Sequence, residues 1–263
     1  MLKKILVLAL AVLMLCSCLS ACSKAPSLKS VQKAGKLTIA TSPDFPPFEE
    51  LQADGSVTGI EIEIMELICK ELGVELEIKQ MNFDSVLPGI QAGKYDVGVS
   101  GISVTPAREK NVKFTVPYCL AAQAIVVVEG SPVTGKADLT GKKISVQSGT
   151  TAEAFCTENG YEISAFAANA DAQLALTTGK VAAWVIDDLT AAEMVAAYNA
   201  GNPEAKLVIL DEAMTTEPYA FAFHLESEDL VEEVSKILQK LVDDGTVEAI
   251  FEKYGAPYTS PNK

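Results

Sequence analysis

The chain has 263 residues, of which 49% are hydrophobic and 21% are charged, and this is enough to bury one large core or two smaller ones. Its 35 acidic residues outnumber its 21 basic residues, and the formal net charge of -14 argues against nucleic-acid binding, which needs basic surfaces. The single histidine removes most histidine-dependent nucleophilic triads and histidine-rich zinc sites. We therefore expect a soluble acidic globule with no metal and no other cofactor.

The first residues have the order of a secretory signal, with a basic start, an apolar run and then small residues. Lys3 and Lys4 precede the apolar run over residues 5–15, which is too short for a bilayer-spanning helix of about 20 residues. The segment ends in Leu19-Ser20-Ala21-Cys22, which resembles the bacterial lipobox. In a lipobox the cysteine receives diacylglycerol and becomes the new N-terminus.

Two interpretations of this segment are open. Either Cys22 is a lipidation site, or an ordinary signal peptide is cleaved nearby with no lipid attached. The first is favoured because all four lipobox positions fit behind a proper basic and apolar start. On that interpretation residues 1–21 are a signal peptide, residues 22–35 are a lipidated tether, and the acyl chains hold the protein on the extracytoplasmic face of the cell membrane.

Alternation of apolar and polar residues predicts strands, and apolar residues three or four apart predict helices. The predicted strands cover residues 36–40, 74–80, 95–100, 122–128, 143–146, 161–165, 181–186, 207–210 and 220–224. Helices are predicted over residues 61–72, ending at Gly73, and over residues 152–159, 172–176, 189–198 and 247–254. Three further helices are predicted from their ends: one is capped by Asp84 and ends before Gly93, one begins at Pro106, and one is capped by Ser227 and stops at Gly245. This alternation indicates an α/β fold with mostly parallel sheets.

Cys69, Cys119 and Cys156 are the cysteines that follow the predicted tether. Their scattered positions lack CxxC spacing, so we expect no zinc site. One disulfide and three buried thiols are both compatible with the sequence, and the odd count fits the second alternative at least as well.

Ligands of α/β sheets bind at loops that leave the carboxyl ends of strands, and three loops of this kind carry candidate residues: 42–48, 100–108 and 147–151. In the second loop Gly101 lets backbone N–H groups approach a ligand and Ser103 adds a hydroxyl, next to a predicted helix start that favours an anion. Arg108 is then either part of a carboxylate site, through a bidentate guanidinium contact, or an ordinary surface arginine beside Glu109.

The loop after residues 143–146 repeats this arrangement with Gln147, Thr150 and Thr151. It is a weak signal for an anion site because hydroxyl caps are common at helix starts. Further along, Asp188 is most simply a helix N-cap. Asp187 is then a carboxylate at the end of a strand, where it can face a cation.

Phe45 and Phe83 lie in loops, where aromatic side chains either close the edge of a core or clamp the apolar part of a ligand. Trp184 lies three positions before Asp187 in the same strand, so we expect it to point to the opposite face and to belong to the core. His224 has no evident partner and is expected to be structural.

The chain resembles the family 3 solute-binding proteins, the amino-acid receptors of bacterial ABC importers. The family signature is a glycine followed by alternating apolar and acidic residues, which is present here from Gly59 to Ile64. The resemblance extends over roughly residues 36–255, with further matches in order at residues 81–88, 96–99, 103–108, 114–115, 148–150 and 219–222.

This resemblance implies a type II periplasmic-binding-protein fold, in which two α/β lobes are joined by two hinge crossovers. One lobe would contain residues 36–121 and 216–263, and the other residues 122–215. It also implies a free, polar amino acid as ligand, an ABC permease and its ATPase as partners, a monomeric state and no enzymatic activity. A sensor and a dehydratase-like enzyme on the same fold are the alternatives.

For the site, the resemblance implies that Arg108 grips the α-carboxylate of the ligand and that Asp187 receives its α-ammonium group. Ser42 occupies a position where relatives often carry an acid that reads the ligand side chain, and Asp44 or Glu217 could take that role here. The ligand residues implied by the resemblance are Ser42, Phe45, Phe83, Ser100, Gly101, Ser103, Arg108, Gln147, Thr150, Thr151 and Asp187.

Overall fold

A computed structural model describes residues 25–262, which form two five-stranded sheets with helices packed against them. The predicted signal peptide and Cys22 lie outside the described residues. The helices are α1 (Leu28–Ala34), α2 (Ile60–Leu72), α3 (Phe83–Gln91), α4 (Thr151–Glu158), α5 (Asn169–Thr177), α6 (Asp188–Gly201), α7 (Glu228–Asp243) and α8 (Thr246–Lys253), with a 3-10 helix at Lys136–Leu139. The strands are β1 (Lys36–Thr41), β2 (Asp44–Phe45), β3 (Glu49–Leu51), β4 (Val57–Thr58), β5 (Glu75–Gln80), β6 (Val97–Gly98), β7 (Val112–Phe114), β8 (Cys119–Ala121), β9 (Gln123–Val128), β10 (Lys143–Gln147), β11 (Glu162–Phe166), β12 (Ala183–Asp187), β13 (Leu207–Ile209), β14 (Glu217–Tyr219) and β15 (Ala222–His224).

The first sheet has the strand order β5-β1-β6-β15-β7, and the second has the order β11-β10-β12-β9-β13. In each sheet two neighbouring pairs are parallel and two are antiparallel. The prediction of mostly parallel sheets was therefore wrong. The reason is that β9 and β15 enter their sheets directly from the crossovers, and an antiparallel neighbour needs no connecting helix.

Two strands carry the chain between the sheets. β8 leads out of the first sheet and β14 leads back to it, and they pair antiparallel with Glu217 opposite Ala121 and Tyr219 opposite Cys119. We call the first sheet with α1–α3, α7, α8 and the small sheet β2-β3-β4 lobe 1, and the second sheet with α4–α6 lobe 2. The paired crossovers are the covalent connections between the lobes.

The core of lobe 1 is built from helices with one apolar face. In α2 the residues Ile60, Ile64 and Ile68, four apart, are completely buried, and the helix packs against α7 and α8. Gly73 ends α2 with a left-handed backbone (φ 70°), as the sequence predicts, because glycine has no Cβ to clash in that conformation. In lobe 2 Trp184 is also completely buried, so its assignment to the core is confirmed.

Several predicted boundaries differ from the structure. No helix begins at Pro106, because residues 106–110 form turns and the chain enters β7 at Val112, which leaves room for a single turn. Residues 28–34, expected within a tether, form α1, whose Val31 is buried. The strand expected over residues 95–100 is shorter in the structure, where β6 covers residues 97–98. Residues 217–219 form β14, a strand separate from β15.

Three predicted caps also differ. Asp84 lies in the first turn of α3, which begins after Asn82. Ser227 occupies the N-cap position of α7 but makes no side-chain cap hydrogen bond. Asp188 is the first residue of α6 rather than its cap, and its carboxylate accepts from the backbone N–H of Ala122 at 3.2 Å.

Cys69, Cys119 and Cys156 are all buried and unpaired, so the three-thiol alternative is the one found. The partly buried His224 accepts the backbone N–H of Glu226 through Nδ1 at 3.1 Å, a local structural contact. Among residues 25–262, no helix combines the length and the hydropathy that a bilayer span requires.

Candidate ligand-binding site

A small cavity of about 10 Å³ lies between the two lobes. All eleven ligand residues expected from the sequence line it, together with Asp44. Lobe 1 contributes Ser42, Asp44, Phe45, Phe83, Ser100, Gly101, Ser103 and Arg108. Lobe 2 contributes Gln147, Thr150, Thr151 and Asp187. A space of this size holds about one water molecule, so the lobes must separate to admit a larger ligand.

The lining residues converge because four strands end at the cavity. β1 ends at Thr41 and the neighbouring β6 at Gly98, so the loops that follow leave the same edge of the first sheet. β10 and β12 end at Gln147 and Asp187 on the facing edge of the second sheet. A crevice outside the carboxyl ends of parallel strands is the usual ligand site of α/β sheets.

Arg108 reaches across the cavity from lobe 1. Its Nη1 donates to the backbone oxygen of Ser103 at 2.9 Å, and its Nη2 donates to the backbone oxygen of Gly149 in lobe 2 at 3.1 Å. The guanidinium carbon lies 5.7 Å from the ring centroid of Phe83, within cation–π range. A guanidinium has five N–H donors, so these contacts leave donors for a ligand carboxylate. The arginine belongs to the cavity and is not an ordinary surface residue.

Burial lowers the pKa of Arg108, and the carboxylates of Glu217 and Asp187 oppose that shift. The guanidinium remains charged, since its ordinary pKa is far above neutral pH. The cavity therefore presents a fixed cation on lobe 1, without the helix N-terminus that the sequence suggested.

The hydroxyls near Arg108 divide into two groups. Ser103 Oγ and Thr151 Oγ1 lie 3.5 Å apart at the boundary between the lobes. Thr150 instead caps α4, because its Oγ1 accepts the N–H of Glu153 at 3.2 Å and donates to the Gln147 backbone oxygen at 2.7 Å. Ser103 is thus the hydroxyl best placed for a ligand, because Thr150 holds the helix start and Thr151 already donates to Glu217 at 2.7 Å.

Gly101 has a role different from the expected one. Its N–H donates to the buried carboxylate of Glu61 at 3.0 Å, so it is not available to a ligand carboxylate in this conformation. Its φ of +55° is left-handed, and a Cβ built there would lie 2.4 Å from the ring of Phe45. The glycine is needed because this loop turns tightly against an aromatic wall of the cavity.

Asp187 is the buried anion of lobe 2, with 7% of its surface exposed. One of its oxygens accepts the side-chain amide of Gln123, a completely buried residue of β9 that also donates to Thr151 Oγ1 at 3.2 Å. Burial, and then the charge of Glu217, raises the pKa of Asp187 well above its usual range. A cation beside this carboxylate would restore its charge.

Glu217 lies on the crossover β14 and is 8% exposed. Its Oε2 accepts the hydroxyl of Thr151 at 2.7 Å, and its Oε1 accepts the hydroxyl of Thr215 at 2.8 Å. With Asp44 and Asp187 it gives the cavity and its wall three carboxyl groups against the single guanidinium of Arg108. This balance favours a ligand that carries at least one positive group.

Asp44 connects lobe 1 with the start of a lobe 2 helix. Its Oδ2 accepts the backbone N–H of Asn169 at 2.9 Å and Nε2 of Gln147 at 3.1 Å, and its Oδ1 accepts the Ser42 hydroxyl at 2.8 Å. Helix α5 begins at Asn169, and its own N-cap residue, Ala168, has no capping side chain. The carboxylate therefore caps α5 from the other lobe.

Sequence reasoning missed Gln123, Asn169 and the roles of Glu49 and Glu61. Gln123 opens β9, whose remaining residues are apolar. A single amide in a buried strand must find a hydrogen-bond partner, and this is the signal that could have identified it. The cross-lobe contact of Asn169 has no comparable signal, because it depends on how two loops meet.

The family model described as bacterial extracellular solute-binding proteins, family 3, matches residues 37–257. Among curated proteins, the L-cystine-binding protein TcyJ of Escherichia coli K12 is 29% identical over 237 residues, which cover 88% of this chain and 87% of the relative. The match extends over both lobes and both crossovers.

Two solved structures share the architecture. A mutant of ArgBP from T. maritima is 35% identical, with a TM-score of 0.79 over 87% of this chain and 98% of that one. The amino acid ABC transporter substrate-binding protein AbpA from Streptococcus pneumoniae, bound to L-arginine, is 31% identical, with a TM-score of 0.78 over 86% of this chain and 97% of that one. The predicted two-lobe α/β fold is confirmed by these similarities.

Proposed function

This chain belongs to the family 3 bacterial extracellular solute-binding proteins, and we propose that it captures a free polar amino acid between its lobes and delivers it to the permease and ATPase of an ABC importer. The relatives described above are binding proteins by name, and this chain is likewise a binding protein rather than an enzyme. We take residues 36–121 and 216–263 as one closing unit and residues 122–215 as the other.

One observation carries the proposal: a guanidinium on lobe 1 and a carboxylate on lobe 2 line the same cavity between the lobes. Arg108 supplies two parallel N–H donors to the ligand α-carboxylate, with the Ser103 and Thr151 hydroxyls beside it. Asp187 receives the α-ammonium group. Each buried charge of the zwitterion then meets an opposite charge, which is the condition for burying it without a prohibitive desolvation cost.

The side chain of the ligand extends between Phe45 and Phe83. The surplus of carboxyl groups around the cavity supports L-arginine as the first ligand to test, and ArgBP and AbpA are named for or bound to arginine. Asp44 is not free to read the ligand side chain directly, because donors from Ser42, Gln147 and Asn169 already contact it. It acts on binding through the contact between the lobes.

Capture proceeds by closure. A ligand that contacts both lobes favours the conformation in which they meet, and the closed surfaces exclude water from the two charged contacts. The closed pair of lobes then presents a single surface to the membrane permease. The acidic surface keeps the protein soluble beside the bilayer.

We also propose that Cys22 carries the lipid anchor. The proposal is supported by the Leu19-Ser20-Ala21-Cys22 sequence behind a basic and apolar start. Two or more acyl chains, at about 0.8 kcal/mol per buried CH₂ group, hold a protein durably on a membrane.

The proposed function is tested by a thermal-shift screen of the purified protein against the twenty amino acids. A ligand that binds only the folded state raises the melting temperature, and the stabilisation grows with the logarithm of its concentration over its dissociation constant. We expect L-arginine or another polar amino acid to raise it, with calorimetry then giving the affinity. If none of the twenty shifts the melting temperature, the proposed function is wrong.

A further inference from the structure

Two glutamates form a carboxyl pair beneath the cavity. Glu49 of β3 and Glu61 of α2 are both completely buried, at 0% exposure, and neither contacts an arginine or a lysine in the described chain. Two ionised carboxylates would repel each other strongly in such a site. The pair therefore needs another source of stability.

The hydrogen bonds around the pair identify that source. Glu61 accepts the hydroxyl of Tyr118 at 2.6 Å through Oε1 and the N–H of Gly101 at 3.0 Å through Oε2. Glu49 accepts the Ser100 hydroxyl at 2.8 Å through Oε1. Its Oε2 is fully buried and meets no donor among the described residues, and the carboxyl group of Glu61 is its neighbour.

Two carboxyl groups can share a hydrogen bond only if one of them carries a proton. Both oxygens of Glu61 accept from other groups, as an ionised carboxylate does. Glu49 Oε2, which lacks a donor, becomes satisfied when it is itself the donor. The chemistry of the contacts therefore places the proton on Glu49 and the charge on Glu61.

We propose that Glu49 is a protonated carboxylic acid that donates to the carboxylate of Glu61, and that this pair positions the Ser100–Gly101 wall of the ligand site. The positioning half of the proposal rests on the proposed function. The shared proton does not, because it follows from contacts outside the cavity.

The positioning role follows from a chain of hydrogen bonds that ends at cavity residues. The Ser100 hydroxyl that donates to Glu49 also accepts the backbone N–H of Ser42 at 3.0 Å. Glu61 holds the N–H of Gly101, which packs closely against Phe45. A change in the pair therefore moves Ser42, Ser100 and Phe45 together.

The pair also contacts the segment that leads into the first crossover. Tyr118, the hydroxyl donor to Glu61, directly precedes β8 and stacks on Phe221, with ring centroids 5.2 Å apart. The carboxylate of Glu61 thus binds both Gly101, in one wall of the ligand site, and Tyr118, where the chain begins to cross from lobe 1 to lobe 2.

Burial and the charge of Glu61 raise the pKa of Glu49 well above its usual range, and the nearby charge of Asp44 adds to the shift. Burial also raises the pKa of Glu61, while its bonds from Glu49, Tyr118 and Gly101 oppose the rise. Tyr118 and Cys119 face the same carboxylate and stay neutral, because burial raises the pKa of each. The larger rise at Glu49 agrees with the proton placed there by the hydrogen bonds.

The raised pKa of Glu49 makes the stability of the folded protein depend on pH. The folded protein keeps a proton on Glu49 that the unfolded chain loses above the ordinary glutamate pKa of about 4.3. The free energy of unfolding contributed by this group is therefore greatest below that pH and falls as the pH rises toward the raised pKa of Glu49. Replacing Glu49 with a neutral isostere removes the decline.

The first experiment is infrared spectroscopy of the purified protein, without added amino acid, at pH 7. A protonated carboxylic acid has a carbonyl band that ionised carboxylates lack. Asp187 also has a raised pKa and can contribute to this band, so the comparison is made in the Asp187→Asn background. We expect the band in Asp187→Asn and in the control Asp187→Asn/Glu50→Gln, which alters the exposed neighbouring glutamate, and a weaker band in Asp187→Asn/Glu49→Gln. A wild type without the band, or a band equally strong in Asp187→Asn and Asp187→Asn/Glu49→Gln, would overturn the proposal.

The second experiment measures the affinity for L-arginine by calorimetry from pH 6 to pH 10. The amide of Glu49→Gln still accepts from Ser100 and donates to Glu61, so we expect affinity within about threefold of the wild type at pH 7 and a smaller loss at alkaline pH. Glu49→Ala leaves both partners unpaired and should bind at least tenfold more weakly. Equal losses in the Gln and Ala variants would overturn the positioning role.

The two experiments separate the proposals. If the wild type binds no amino acid, the proposed function and the positioning role both fail, while the infrared band still decides whether the pair holds a proton. Misfolding cannot imitate the expected result, because the decisive variant, Glu49→Gln, is the one that should behave like the wild type.

Discussion

Arg108 and Gly149 are joined across the cavity by a hydrogen bond of 3.1 Å from Nη2 to the glycine carbonyl. The same guanidinium holds Ser103 of its own lobe at 2.9 Å, so one side chain fixes the spacing of the two cavity walls. A group that binds both lobes makes ligand affinity and lobe closure parts of one equilibrium. Changes at Arg108 should therefore alter both.

We expect Arg108→Ala to weaken L-arginine binding about 100-fold or more. Removing one partner of a buried charge pair costs about 3–5 kcal/mol, and each 1.4 kcal/mol corresponds to about a factor of ten. Calorimetry measures the loss, with Lys110→Ala as the control, since that exposed lysine lies on the same turn. An affinity within tenfold of the wild type would remove Arg108 from the site.

Asp187→Asn should weaken binding by roughly a hundredfold, since truncating a buried charged contact costs about 2–5 kcal/mol. The ammonium group of the ligand favours the ionised form of Asp187, whose pKa is raised, so binding to the wild type should release a proton. Affinity should accordingly rise as the pH rises through the raised pKa of Asp187.

Calorimetry in two buffers of different ionisation enthalpy measures this proton release. The variant Asp187→Asn should show none, while the exposed Asp171→Asn control should match the wild type. A proton release that persists in Asp187→Asn would assign the titration to another group.

Asp44→Asn should favour the open arrangement of the lobes. The substitution removes the charge that caps α5 and contacts Gln147, and hydrogen bonds to charged groups contribute about 1.5–3 kcal/mol. We expect binding to weaken about tenfold or more, and the radius of gyration from small-angle scattering to increase. The same scattering profile for variant and wild type would show that this contact does not hold the lobes together.

Gly101→Ala should impair binding as well as stability. A left-handed backbone costs a residue with a Cβ roughly 1–2 kcal/mol, and here the Cβ would also strike the Phe45 ring. Gly130→Ala is a matched control, because its φ of +78° is also left-handed but nothing lies within 4 Å of the added Cβ. Both should melt at lower temperature, and only Gly101→Ala should lose affinity. Equal affinities would show that the loop tolerates the added methyl group.

Cys22→Ser should release the protein from the membrane. In the bacterial host, labelled palmitate should be incorporated into the wild type and not into the variant, because the thiol is the group that is alkylated. Fractionation should then find the variant outside the membrane pellet. A wild type that incorporates no label would favour the ordinary signal peptide instead, and label in Cys22→Ser would place the lipid on another residue.

Much of the site could be predicted because the relevant pattern is local. Strands followed by polar loops identify Ser42, Ser103 and Thr151, and family motifs add the roles of Arg108 and Asp187. The structure brings these side chains together at one cavity, as expected for loops at the ends of parallel strands. Their contacts with a ligand remain predictions.

The features of the fold and of the site that could not be predicted depend on contacts between distant parts of the chain. The antiparallel places of β9 and β15 follow from the crossovers, which leave no periodic signal in the sequence. Pro106 satisfies the usual rule for a helix start, yet the chain must enter β7 a few residues later. The pair of Glu49 and Glu61 could be recognised as acidic residues, but their burial against each other is visible only in the folded protein.

The unpaired thiols have a consequence for how the protein matures. Burial raises the pKa of Cys69 to about 12 and that of Cys156 to about 11, so neither is a reactive thiolate at neutral pH. Residues 25–262 contain no disulfide, so this part of the chain needs no thiol oxidase or disulfide isomerase to complete folding. Its shape should therefore withstand strong reductants as well as oxidising surroundings.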